Sequence, residues 1–347
     1  MKDESNMIKE ELIIVFMGTP EFAVESLKRL VDGGYNVVAV VTQPDKPVGR
    51  HGSVLKASAV KEYALSRAIP VLQPEKMKDP EFVSELASYK ADLQVVVAFR
   101  MLPEVVWDMP RFGTFNVHAA LLPQYRGAAP INWAVINGET MTGVTTFFLD
   151  HDIDTGRIIM QREFPIPDDA DVEFVYDGLM NLGAELCIDT VDKIIETEGN
   201  VEALPQPEDV ELKPAPKLFN ETCKIDWSQP AKRIYDFIRG LSPYPGAWSD
   251  IHTDDTPQSL PDGKGATLKV YRAKKTSRPT SAEPGSVLIE RNQLFVATAD
   301  EWLELLFIQP AGKKRMLSSD YINGLKNNAS PQPSPKGKGV KAPFHLG

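Results

Sequence analysis

The sequence predicts an α/β chain: a doubly wound, Rossmann-like parallel-sheet domain followed by a small C-terminal β-barrel of OB-like type. Three observations carry this. Two continuous apolar runs of strand length, Leu12–Met17 and Val37–Val41, flank a stretch with helical spacing, as expected for parallel strands buried on both faces. Four prolines, Pro205, Pro207, Pro214 and Pro216, crowd one short stretch and mark a stiff, exposed linker. Beyond them lie short strand-like runs separated by turn residues, the pattern of a small barrel.

In order along the chain, Thr19 is placed to cap a first helix, with Pro20 at its first position and Glu21 favourable to its dipole. Phe22, Leu27, Leu30 and Val31 recur at helical spacing until Gly33-Gly34 stops them. With the second run this makes a strand–helix–strand unit. Lys56–Arg67 reads as a helix, then Leu93–Phe99, Phe115–His118 and Gly143–Leu149 as strands, and Phe174–Glu196 as a long closing helix. After the linker, Ser228-Gln-Pro caps a helix from about Ala231 to Arg239, and strands follow near 266–275, 285–290, 293–298 and 302–309. The Ser/Pro/Gly/Lys-rich stretch from Lys326 is expected to be a disordered tail. The divisions are therefore a first domain 1–204, a linker 205–217, a barrel 218–325 and a tail 326–347.

Composition narrows the class. At 347 residues, 42% hydrophobic and 25% charged, the chain reads as globular. No apolar run approaches the roughly 20 residues of a membrane span, and Met1–Glu11 lacks the apolar core of a secretory signal. Cys187 and Cys223 lie far apart with no metal-binding spacing, which suits a reduced, cytoplasmic setting. Net charge is −10, but residues 1–211 carry −17 and residues 212–347 carry +7. Any polyanionic partner is thus expected on the second half, although a merely solvated basic surface fits the charge equally well.

The densest chemistry lies in Phe115-Asn-Val-His118 and the loop after it. Asn116 and His118 are two apart on a strand, so both point to one face, at the carboxyl edge where open α/β sheets bind ligands. A second strand ends in Asp150, Asp152 and Asp154, and Asp154-Thr-Gly156 is a turn able to aim a carboxylate back at that edge. Alone, His118 fits a hydrogen-bonded core histidine, and the aspartates fit a solvated turn, a helix cap or a cation site. The first turn, Gly18-Thr-Pro-Glu, lacks the Gly-x-Gly-x-x-Gly fingerprint, which counts against a dinucleotide enzyme.

Several motifs together resemble the methionyl-tRNA formyltransferase family. They are Met17-Gly-Thr-Pro-Glu-Phe-Ala23, Thr42-Gln-Pro-Asp-Lys-Pro-Val-Gly-Arg50, the Asn116/His118 strand with its Leu-Leu-Pro-Gln-Tyr-Arg-Gly-Ala-Ala-Pro loop, and Ile153-Asp-Thr-Gly156. Ile225-Asp-Trp-Ser-Gln-Pro230 and Ile238-Arg-Gly-Leu-Ser-Pro-Tyr-Pro-Gly-Ala247 extend the likeness into the second domain. The resemblance runs from about residue 12 to 316 and implies formyl transfer from 10-formyltetrahydrofolate to the methionyl amine of initiator tRNA.

That resemblance also assigns roles. Asn116, His118 and Asp154 become catalytic: amide and imidazole stabilise the oxygen that turns negative, and Asp154 beside His118 helps carry a proton from the amine to the leaving nitrogen. No metal is expected, because the formyl group is already activated by a weakly basic aryl nitrogen. The folate is expected on Ala120, Leu121, Leu122 and Pro123, with Phe99 and Leu102 near the pterin. Ala120 departs from the family's serine, and Arg100 stands where many members carry a small or aromatic residue. Lys46 and Arg50, on the loop Gln43–Ser58, and Lys217 are the expected tRNA contacts, on an enzyme expected to act as a monomer. A folate-dependent formyltransferase for a small amine, such as an amino sugar or glycinamide ribonucleotide, and a non-catalytic nucleotide- or RNA-binding module are the competing readings.

Overall fold

The computed structural model describes residues 7–48, 54–253, 266–328 and 340–347. The chain divides into two compact units, one of Met1–Pro130, Met141–Pro165 and Tyr176–Pro216, the other of Ile131–Thr140, Ile166–Val175 and Lys217–Gly347.

The first unit begins with β1 (Ile14–Gly18), α1 (Glu21–Asp32) and β2 (Val37–Val41). All five β1 residues are buried, as a strand covered on both faces requires. Helix α1 buries Phe22, Ala23, Ser26, Leu27 and Leu30 along one stripe, and Gly34, at φ 79°, takes the left-handed turn that ends it. Thr19 is not its cap: Pro20 occupies that position without a side-chain bond, and Thr19 Oγ1 instead accepts from the Gln43 amide at 3.4 Å. The expected loop 43–58 contains a hairpin of β3 (Lys46–Val48) and β4 (Val54–Lys56). Then come α2 (Ala59–Ser66), capped by Ser58 Oγ on the Lys61 amide at 3.1 Å, β5 (Val71–Leu72) and α3 (Pro80–Ser88), capped by Asp79.

The remaining strands of this unit are β6 (Leu93–Val97), β7 (Thr114–His118), β8 (Met141–Phe148) and β9 (Ile158–Pro165), with α4 (Glu104–Trp107) between β6 and β7. The sheet order is β5-β2-β1-β6-β7-β8-β9. Five strands are parallel, as the doubly wound reading expects, but β8 runs antiparallel to β7 and β9 antiparallel to β8. Residues 149–157 are too few to carry the crossover of a dozen or more that a parallel return needs, so β9 doubles back along β8. Val15, Met17, Val41, Phe82, Leu86, Val96 and Val106 form a core on one face.

Residues 205–216 fall in this first unit rather than standing apart. Most are exposed as expected, but Gln206 (7% exposed) and Ala215 (0%) are buried.

The second unit includes most of α5 (Pro130–Ile136) and the first turn of α6 (Val172–Glu196), then α7 (Ala231–Gly240) and the strands β10 (Ala247–Thr253), β11 (Thr267–Pro279), β12 (Ser286–Glu290), β13 (Gln293–Ala297), β14 (Glu301–Pro310) and β15 (Met316–Leu317). Helix α8 (Ser318–Asn328) and strand β16 (Val340–Leu346) complete it. The segments 131–140 and 166–175 depart from the boundary read in the sequence, and tertiary contacts explain why. Asn132 Nδ2 donates to Gly240 O at 2.9 Å and Arg239 Nη1 to Ala170 O at 2.8 Å, while a methyl on Gly240 would meet Ile136 Cγ1 at 2.6 Å. The α7 cap is also not Ser228: Asp300 Oδ1 accepts from the Ala231 amide at 2.8 Å.

The strands close into a ring, β10-β11-β14-β13-β12-β16 and back to β10, with β15 added on β14. Trp227, Ile234, Ile238, Val270, Leu294, Val296 and Leu305 fill it. This corrects the expectation of a structureless tail over 326–347. Helix α8 runs on to Asn328, and β16 inserts Ala342, Phe344 and Leu346 into the core. Their period-2 alternation is the signal of a half-buried strand, hidden in the sequence by the Ser/Pro/Gly/Lys composition before it. Residues 329–339 lie outside the described set. No helix among the described residues is long and apolar enough to cross a membrane.

Candidate active site

Strand β7 sits between parallel β6 and antiparallel β8, pairing Asn116 with Val96 and Phe147, and His118 with Thr145. Pleat alternation sends Phe115 and Val117 to one face and Asn116 and His118 to the other. His118 is 6% exposed. Its Nε2 lies 2.9 Å from Tyr125 O, and because a carbonyl only accepts, that nitrogen carries the hydrogen. In the neutral ring the lone pair is therefore on Nδ1.

Nδ1 faces Asp154 Oδ2 at 3.9 Å, with the carboxylate 12% exposed. Of the three aspartates, only Asp154 turns inward; Asp150 accepts from the His151 amide and Asp152 O from the Thr155 hydroxyl, both in exposed loop. The turn works because Asp154 adopts φ 56°, a left-handed conformation that aspartate tolerates, and because Gly156 has no room for a side chain against Phe148 O. Asp154 Oδ2 also accepts from the Gly127 amide at 2.9 Å. Asn116 Oδ1 is buried without a hydrogen-bond partner. An orphaned buried acceptor costs about 1–3 kcal/mol, which an N–H from a bound molecule would relieve.

The loop Ala120–Pro123 is held through its own backbone by side chains of the neighbouring strands β8 and β9. Thr145 Oγ1 donates to Ala120 O at 2.7 Å and accepts from the Leu122 amide at 3.1 Å, and Gln161 Nε2 donates to Leu122 O at 2.9 Å. The Ala120 methyl is fully buried, so this position offers its backbone where the family has serine. Phe99 is half-buried and Leu102 is buried at the end of β6, both packed on the first unit's core. Arg100 finds a local role: Nη1 donates to Glu75 O at 2.9 Å and Nη2 to Pro74 O, and burial lowers its guanidinium pKa.

Two of the expected tRNA contacts are among the described residues, one in each unit. Lys46 is exposed on β3 opposite Lys56. Lys217 is exposed in the second unit, its Nζ 5.6 Å from the Phe219 ring centroid. Arg50 lies outside the described residues. Among the described residues no group of three or more His, Cys, Asp or Glu is arranged to hold a metal ion.

Sequence reasoning missed Tyr125, Gly127, Thr145, Gln161 and Gln206. The first two sit inside the loop motif without any feature separating them from their neighbours. Gln206, between two prolines, donates from Nε2 to Asp154 O at 2.8 Å and to Gly156 O at 2.9 Å; nothing in the linker's composition signals that.

Comparison with known proteins covers both units. The formyl transferase family model matches residues 11–191, and the formyl transferase C-terminal domain model matches residues 217–326. A methionyl-tRNA formyltransferase of Parabacteroides distasonis is 59% identical over 93% of this chain and 98% of its own length. Another, from Bacteroides fragilis, is 56% identical over 92% of this chain and 96% of its own. Among solved structures, an N-formyltransferase from Helicobacter canadensis in complex with folinic acid and dTDP-3-aminofucose aligns with TM-score 0.59 at 20% identity, over 89% of this chain and all of that one. HypX from Aquifex aeolicus in complex with tetrahydrofolic acid aligns with TM-score 0.59 at 19% identity, over 96% of this chain and 50% of that one. At those identities the structural likeness speaks for the fold alone.

Proposed function

This chain belongs to the methionyl-tRNA formyltransferase family, and we infer that it transfers the formyl group of 10-formyltetrahydrofolate to the amino group of methionine on initiator methionyl-tRNA, giving N-formylmethionyl-tRNA. The observation that supports this chemistry is the contact of His118 with Asp154 at 3.9 Å, His118 lying on the strand that also carries Asn116.

The folate supplies a formyl carbon already activated by the aryl nitrogen that leaves. What remains for the protein is charge and proton handling. In our reading, the Asn116 amide donates to the formyl oxygen as it becomes negative, a contact typically worth about 10²–10³ in rate. His118 Nδ1 takes the proton that the attacking amine must lose and returns it to the departing nitrogen. Tyr125 O, by holding Nε2–H, leaves Nδ1 as the nitrogen that exchanges the proton. Asp154 steadies the imidazolium formed on the way, its carboxylate fixed by the Gly127 amide.

Around that centre, Ala120, Leu121, Leu122 and Pro123 with Phe99 and Leu102 receive the folate, and the first unit, Met1–Pro130, Met141–Pro165 and Tyr176–Pro216, acts as the catalytic domain. The barrel of the second unit, closed by β16, binds tRNA, joined by Lys46, Arg50 and Lys217, with an affinity that falls steeply with salt. The enzyme works as a cytoplasmic monomer. The test is transfer of labelled formyl from 10-formyltetrahydrofolate to initiator methionyl-tRNA, elongator methionyl-tRNA and a nucleotide-linked amino sugar. Label on the initiator tRNA alone is expected; label on the sugar amine and none on tRNA would overturn the assignment.

A further inference from the structure

Asp154 is held in a backbone conformation that its own sequence does not enforce. A left-handed residue costs roughly 1–2 kcal/mol relative to the right-handed form, with aspartate among the more tolerant types. At φ 56° its carbonyl and that of Gly156 both point at one side chain, the Gln206 amide. Gln206 comes from the Pro-rich stretch, outside both matched family segments, which end at residue 191 and resume at 217.

The hydrogen-bonding capacity of Gln206 is fully used. Both Nε2 hydrogens go to the Asp154 and Gly156 carbonyls, and Oε1 accepts from Arg126 Nε at 3.1 Å and Nη2 at 2.7 Å. The opposite amide orientation would set Oε1 against two carbonyls and Nε2 against a guanidinium, so the network fixes which way it points. Arg126 immediately precedes Gly127, whose amide holds Asp154 Oδ2 at 2.9 Å. A closed circuit results: Gln206 grips the backbone of Asp154, Arg126 grips Gln206, and the next residue grips the Asp154 carboxylate.

The rest of the segment braces the other wall. Ile158 and Leu204 exchange two amide bonds at 2.7 and 2.9 Å. The Tyr125 amide, beside the carbonyl that orients His118, donates to Lys213 O at 2.7 Å, and the Ala215 amide donates to Arg126 O at 2.9 Å. Gln206 and Ala215, the two buried residues of the stretch, are both among its contacts with these walls.

We propose that Gln206 is a positioning residue for the Asp154 carboxylate, and that residues 204–215 form a strap fixing both sides of the His118–Asp154 pair. The proposal rests on the catalytic reading of Asp154. If Gln206 only stabilised the fold, removing it would lower the melting temperature and leave turnover alone.

The experiment measures kcat, both KM values and Tm for Q206M, Q206E and R126M on 10-formyltetrahydrofolate and initiator methionyl-tRNA, and repeats Q206M in a D154N background. Q206E keeps an acceptor for Arg126 but loses both donations to the turn. Q206M and Q206E should each lower kcat about 10–100-fold, the scale of a small misplacement of a catalytic group, with little change in either KM. R126M, which leaves both donors in place, should lose less. On D154N, adding Q206M should bring no further loss. Equal losses in both backgrounds would sink the positioning role, as would wild-type kcat in Q206E or a lowered Tm with unchanged kcat. A D154N enzyme of near-normal rate would remove Asp154 itself from the mechanism, and this proposal with it. Should Q206M fail to fold, Q206E carries the same comparison.

Discussion

Replacing Asp154 by asparagine isolates charge from shape. The asparagine oxygen can still accept from the Gly127 amide, now 2.9 Å from Asp154 Oδ2, and Gln206 still holds the backbone. What disappears is a negative charge 3.9 Å from His118 Nδ1, in a site where the two side chains are 6% and 12% exposed. Two unit charges about 4 Å apart interact by about 4 kcal/mol at an effective dielectric constant near 20. That attraction exists only while the imidazole carries the transferred proton, so it lowers the barrier rather than the ground state. At about 1.4 kcal/mol per decade, D154N should lose about 10³ in kcat with KM for both substrates nearly unchanged. The assay is single-turnover formyl transfer with both substrates saturating, beside circular dichroism to show an intact fold. A folded D154N enzyme turning over within tenfold of wild type would refute the proton-handling argument.

T145V removes the hydroxyl that serves Ala120 O and the Leu122 amide; stranding these buried groups should cost about 1–3 kcal/mol each, read as a lowered Tm and a raised KM for the folate, with KM for tRNA unaffected. D300A should cost about 1 kcal/mol by uncapping α7, measured by urea unfolding. Because the bond from the Ala231 amide holds the Asp300 carboxyl below its ordinary value, that contribution is complete above the unfolded carboxyl's range near pH 4 and fades as pH falls through the lower folded value. The two proteins should therefore converge in strongly acidic buffer; a stability gap constant down to pH 2 would rule out the cap.

Most of the sheet was legible because its strands are buried on both faces, and such runs declare themselves: Ile14–Gly18, Val37–Val41 and Leu93–Val97 need no partner to be recognised. Asn116 and His118 were legible for a similar local reason, sharing a pleat face. What escaped was set by tertiary contact. The α7 cap comes from 69 residues away, and Gln206 reaches its targets across 50 and 52 positions. The strand 340–346 was obscured by a polar, Pro- and Gly-rich neighbour whose composition dominated any window that contained both. The Asp154 turn was anticipated, but its bracing was not, since hydrogen bonds to backbone carbonyls leave no preference in the composition of the residues that accept them.

The seven residues of β16 have a consequence out of proportion to their number. They are the stave between β10 and β12, pairing with both, and among the described residues they close the ring. Lift that stave out and two rows of backbone donors and acceptors face water, each a template for a foreign strand. The same short stretch that completes the hydrophobic filling thus also covers two rows on which a foreign strand could otherwise pair.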